Sequence, residues 1–129
     1  MLAPARDWAR FGALYFDDGA AGGRRILPEG WVNYSAMPTE PAWVGYGAGF
    51  WTNRGDNLGA KFRTSRGWPA DSFYASGTFG QYVIIVPSER LVIARFGTSA
   101  NRYDIEGVSR LVTDVIAATG GKGRVAAGN

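Results

Sequence analysis

The 129-residue chain contains no cysteine and no histidine. Without cysteine there is neither a disulfide framework nor a thiolate nucleophile, and the redox compartment is left open. Without histidine, Ser-His-Asp and Cys-His catalysis are excluded within the chain. The two residue types that most often hold zinc are both missing, and no cofactor is expected. Lysine is nearly absent too, with Lys61 and Lys122 as the only examples. The formal charge of +3 therefore rests on arginine, and the arginines are scattered, with no run longer than Arg24-Arg25. A nucleic-acid footprint is a clustered basic stripe, so no nucleic-acid partner is expected. No stretch approaches the roughly 20 apolar residues of a membrane span. The opening Met-Leu-Ala-Pro-Ala-Arg-Asp lacks the charged region and apolar core of a signal peptide.

What is present suits a folded domain. Hydrophobic residues make up 46% of the chain, which excludes disorder throughout. A chain of this length forms one domain or a piece of one, and can bury roughly two-thirds of its unfolded surface. The strongest local signal lies in residues 73–96. Two short apolar runs, 82–86 and 91–96, are rich in β-branched and aromatic residues and flank Pro87-Ser88-Glu89-Arg90. This predicts a hairpin. The runs are nearly continuous rather than alternating, so both sheet faces expect cover. Ahead of them stands Ala75-Ser76-Gly77-Thr78-Phe79-Gly80, whose glycines allow a bend or a close backbone approach. It is the best place in the chain to seek a site.

Elsewhere the pattern is helical or irregular. Residues 4–18 predict a helix: Pro4 suits its first position, Asp7 its positive end, and Trp8, Phe11 and Tyr15 form one stripe. Gly12 on that face permits close packing, and Gly19 is a plausible stop. Pro28 and Glu29 open a short helix. Residues 37–43 are irregular. Residues 45–51 resemble a phosphate loop only loosely and read better as a strand packed closely by other backbone. Residues 52–70 read as a long loop. Asp104 caps a last helix whose stripe is Ile105, Val108, Leu111, Val112 and Val115. From residue 120 the chain is Gly- and Ala-rich, and a frayed tail is expected over 120–129. Helices, three antiparallel strands and a helix give an α+β class.

Three stretches in order carry a resemblance: Ala5-Arg6-Asp7-Trp8-Ala9-Arg10-Phe11-Gly12, then Ile26-Leu27-Pro28-Glu29-Gly30-Trp31-Val32, then residues 74–82 with Val86-Pro87-Ser88 and Leu91-Val92. Together they resemble the C-terminal part of the serine β-lactamase-like hydrolases, over residues 3–118. That family includes class C β-lactamases, penicillin-binding proteins, esterases and 6-aminohexanoate-dimer hydrolase. The resemblance implies an antiparallel sheet flanked by terminal helices on one face and a helical domain on the other. It also implies acyl transfer by a Ser-x-x-Lys serine, a Tyr-x-Asn or Ser-x-Asn element, and a Lys-Thr-Gly or His-x-Gly strand bordering the pocket.

The chain holds no Ser-x-x-Lys and no Tyr-x-Asn, and Ser99-Ala100-Asn101 follows the last strand rather than preceding the sheet. Only the third motif has a counterpart. Ser76 matches its hydroxyl residue and Gly77 its glycine, both as substrate-binding residues, while Ala75 replaces the basic one. By the same resemblance, the Thr78 backbone N–H is an oxyanion-hole donor. The implied substrate is a small-molecule ester or amide. The nucleophile and base would come from a missing N-terminal half, making residues 1–119 a C-terminal segment that is inactive alone. With that half absent, the first and last helices would share one face and leave residues 83–86 partly uncovered on the other. Residues 91–94 would form an open edge prone to self-association. The alternative is a non-catalytic α+β module that binds a protein partner through its sheet.

Overall fold

The computed structural model describes residues 3–99 and 104–120. Helix α1 spans Ala5–Phe16, with Pro4 at the N-cap rather than the first turn. Two short strands follow, β1 (Ala20–Ala21) and β2 (Arg24–Arg25), paired as a small ribbon. Helix α2 covers Trp31–Ala36, behind a left-handed Gly30. Next come β3 (Trp51–Thr52), α3 (Leu58–Thr64), β4 (Phe73–Gly77), β5 (Gln81–Val86), β6 (Leu91–Arg95) and α4 (Ile105–Ala118). The main sheet is antiparallel and four-stranded, in the order β3-β4-β5-β6. The fold is α+β; its main sheet has one strand more than the three read from the sequence, and the β1–β2 ribbon is additional.

The predicted hairpin is β5–β6, in register from Tyr82↔Arg95 to Val86↔Leu91. A single 3-10 turn, Pro87–Glu89, joins the strands, and Arg90 follows it in the left-handed region. Asp71 pins that turn by accepting from the Ser88 backbone N–H at 2.6 Å and the Ser88 hydroxyl at 2.8 Å.

Successive strand residues point to opposite faces, and two clusters follow from this. Phe73, Val83 and Ile85 meet Trp8, Phe11, Tyr15 and Phe16 of α1, together with Val32 and Ala36 of α2. Tyr74, Ile84, Val86 and Ile93 meet Val108 and Val112 of α4, with Trp68 alongside. The first and last helices therefore cover opposite faces, not one. Val83 is 3% exposed and Ile84, Ile85 and Val86 are fully buried, so the expected uncovered run is enclosed. Gly12 lets α1 lie flat on the sheet, since a Cβ there would sit 2.5 Å from Val92 Cγ1 and 2.9 Å from Val83 Cγ1.

Two further expectations change. Residues 45–51 are not a strand: only Trp51 enters the sheet, and Tyr46 makes an isolated bridge to it. The glycines do serve close approach, but within coil; a Cβ at Gly47 would collide with the carbonyls of Ser35 and Met37. The presumed long loop 52–70 contains α3, capped by the Asn57 side chain accepting from Ala60 N at 2.7 Å. Of the expected tail, residues 121–129 lie outside the described residues, as do Ala100 and Asn101 of the Ser-x-Asn triplet. No described helix is long and apolar enough to cross a membrane.

Candidate functional site

Ser76 and Gly77 are the last residues of β4, paired with Tyr82 and Gln81 of β5. Thr78, Phe79 and Gly80 close the hairpin as a three-residue loop. Phe79 and Gly80 both adopt positive φ, 61° and 84°. Glycine removes the steric cost at the second of these positions, while Phe79 bears it at the first. Ser76, Gly77, Thr78 and Phe79 are exposed, whereas Gly80 is buried.

The buried side of the loop is tied down. Arg95 donates from Nη1 to the Gly80 carbonyl and from Nη2 to Ser99 Oγ at 2.8 Å. The Ser99 N–H donates to the Phe79 carbonyl at 2.9 Å. The Gln81 amide brackets Gly97, donating to its carbonyl at 2.8 Å and accepting from its N–H at 3.1 Å. The exposed edge of the loop is thus presented on a braced support.

The structure brings the three predicted residues together on the wall between two hollows. The larger, about 580 Å³, lies on the α4 side and is bordered by Ser76, Gly77 and Thr78 together with Trp51, Arg63 and Tyr74. The smaller, about 360 Å³, lies on the α1 side against Trp8, Ala75, Val83 and Phe96. Ser76 and Gly77 border both.

Among the described residues, the ionisable groups bordering these hollows are Arg63, Tyr74 and Tyr82. Burial pushes the Tyr74 phenol up to about 12, against a weaker opposing pull from Arg63. Burial also raises Tyr82, with Arg95 opposing. Both are neutral phenols at neutral pH. The wall offers no carboxylate, lysine or imidazole to take a proton from Ser76, so its hydroxyl is not an activated nucleophile. The wall can supply backbone and hydroxyl donors, aromatic surface and one positive charge.

That charge escaped sequence reasoning. Arg63 is 5% exposed. Its Nε donates to Asn53 Oδ1 at 2.6 Å and its Nη2 to the Thr52 carbonyl at 2.7 Å, and its Cζ stands 5.5 Å from the Tyr74 ring centre. Burial lowers its pKa, with Tyr74 opposing. The aromatic row Trp51, Tyr74, Tyr82 was also missed; it requires the register Trp51↔Tyr74 and Ser76↔Tyr82 across three strands. Comparison of the chain with protein-family models and with curated proteins gave no match.

Proposed function

We propose that this chain supplies one wall of an acyl-transfer site in a β-lactamase-like serine hydrolase acting on a small ester or amide. Ser76 and Gly77 contact the substrate, and the Thr78 N–H serves as one oxyanion-hole donor. The nucleophilic serine and its lysine come from sequence outside this chain. The observation that supports the reading is positional. The one stretch matching the family's third motif is an exposed strand end, braced from behind and set between two hollows. In the same proposal the partner half pairs along β6, the strand at one end of the sheet order. The non-catalytic module remains the second reading, favoured by the absence of a base beside Ser76.

The isolated chain should not hydrolyse p-nitrophenyl esters or nitrocefin above background, nor label with a fluorophosphonate probe. Saturable turnover surviving purification controls overturns the division of labour. Reading the coding sequence upstream for an in-frame Ser-x-x-Lys tests the family itself, and its absence favours the module. In an enzyme completed by that sequence, Gly77→Val should lower turnover far more than stability. A Cβ at Gly77 meets only the Gln81 side chain, Cβ at 3.4 Å and Cγ at 3.8 Å, ordinary contacts. A lost oxyanion donor costs about 3 kcal/mol of transition-state stabilisation. Unchanged turnover per folded molecule would reduce residues 76–78 to plain strand.

A further inference from the structure

Arg63 is a charge that the acyl-transfer reading does not use. A buried charge is costly unless paired, yet the partners of this guanidinium are neutral: the Asn53 amide, the carbonyls of Thr52 and Val44, and the Tyr74 phenol. The other ion pairs of the fold are made elsewhere. Arg66 meets Glu106 at 2.7 Å and Lys61 meets Asp56 at 2.6 Å, so neighbouring cations have their carboxylates while Arg63 has none among the described residues. The hydrogen-bonded network holds the guanidinium in place but leaves its charge uncompensated.

The same side chain borders the larger hollow, and the other walls are flat and apolar. Trp51 and Tyr74 lie nearly parallel, with an interplanar angle of 17° and centroids 6.5 Å apart. Tyr82 follows at 5.8 Å from Tyr74, its ring tilted by 40°. Phe62 and Phe79, 46% and 48% exposed, flank the opening, and the hydroxyl residues Ser76 and Thr78 stand on its rim. The two acids at the start of α4 do not compete for Arg63: Glu106 is held by Arg66, and Asp104 lies 4.0 Å from Arg95. One fixed cation among aromatic faces selects a particular ligand. The anion should be a carboxylate, which a guanidinium holds through charge-assisted hydrogen bonds. Its body should be flat, to lie along ring faces.

We infer that the hollow between α3, the β3–β4–β5 face and the start of α4 binds a planar aromatic carboxylate, with its charge on Arg63 and its ring along Trp51, Tyr74 and Tyr82. The site is defined without the acyl-transfer reading and stands if that reading fails, because its test measures binding rather than turnover.

The test uses the full chain labelled with nitrogen-15, titrated with 2-naphthoate and, separately, with the neutral 2-naphthamide. Naphthoate should shift the Arg63 Nε–H signal and the amides of residues 76–79 saturably. Naphthamide should bind about tenfold more weakly or worse, since it has lost the charge-assisted bond. Equal affinity for acid and amide overturns the inference, as does the absence of saturable shifts. So do shifts confined to Trp8, Val83 and Phe96 in the smaller hollow. Arg63→Gln should erase the preference for the acid. Should that variant fail to fold, the acid–amide comparison on the unaltered chain decides alone, and Phe62→Ala, at an exposed position, should weaken naphthoate binding without loss of fold.

Discussion

Tyr74 joins three features of this protein in one side chain. Its ring packs on Trp68 at 5.1 Å within the core, its face supports the Arg63 guanidinium, and it lines the larger hollow. The cost of that position is a phenol that cannot easily ionise. Its pKa rises from 10.0 to about 12, chiefly by burial. The folded state therefore keeps a proton that the unfolded chain releases. The resulting stability is fully present below pH 10 and is lost as pH rises toward 12. At about 1.4 kcal/mol per unit, the full loss is about 3 kcal/mol. Arg63 runs the opposite way: burial lowers its pKa, so its charge is a cost at neutral pH that its neutral partners only partly offset. We expect urea unfolding to show stability falling between pH 9 and pH 11, and Tyr74→Phe to fall less by about 1 kcal/mol over that range. Identical pH profiles for the two proteins would mean that the phenol is not held neutral by the fold.

At the scale of elements, α3 decides whether Arg63 is in place. The helix has only seven residues, too few to persist without support. Asn57 provides it at one end, accepting from Ala60 N at 2.7 Å and donating to the Arg54 carbonyl at 3.1 Å. Asn57→Ala should cost about 1 kcal/mol in thermal or chemical unfolding. It should also broaden the Arg63 side-chain signal; an unchanged signal would show that the loop contacts of Arg63 suffice without the cap. This helix is also where the sequence was least legible. Its apolar pair, Leu58 and Phe62, has helical spacing but faces solvent at 63% and 46% exposure, while the residues it buries are Ala60 and Arg63. Periodicity reports a hidden apolar stripe, and here the hidden stripe is small and charged. The long helices were legible because they obey the rule: Val108 and Val112 of α4 are fully buried, and Asp104 accepts from Gly107 N at 3.1 Å as its cap. The hairpin was legible because continuous Val and Ile runs have few alternatives to a sheet covered on both faces. Glycines 45–49 misled for the opposite reason. A close backbone approach needs glycine in coil as much as in a strand, so residue type alone does not choose between them. Ser76, Gly77 and Thr78 could be singled out as a strand end with glycines; the Arg63 charge beside them depends on register and on a helix without an apolar face.

At the scale of the whole molecule, the arrangement of helices limits how the chain can associate. Both faces of the sheet are covered, α1 on one and α4 on the other, and residues 83–86 are buried. Association driven by an uncovered sheet face is therefore not expected. What remains is the edge. Among the described residues β6 pairs only with β5, and its first four residues, Leu91-Val92-Ile93-Ala94, have neither proline nor charge to block a further strand; its one charge, Arg95, closes the strand and bonds back to Gly80 and Ser99. Such an edge is a template for another chain. We propose that it pairs with the half carrying the nucleophile, and with a second copy when that half is absent. The substitution that tests this must spare the core. Ile93 is 8% exposed and belongs to the cluster under α4, so a lysine there would disturb packing as well as pairing. Ala94 is only half-buried, and Ala21, exposed in the small ribbon, serves as the matched control. Light scattering of the unaltered chain should show mass rising with concentration. Ala94→Lys should hold it near monomer, and Ala21→Lys should behave as the parent. Charge alone then cannot be the cause, because both variants gain the same lysine. A parent that stays a compact monomer throughout the series removes the argument for a partner at β6 and favours the self-contained binding module.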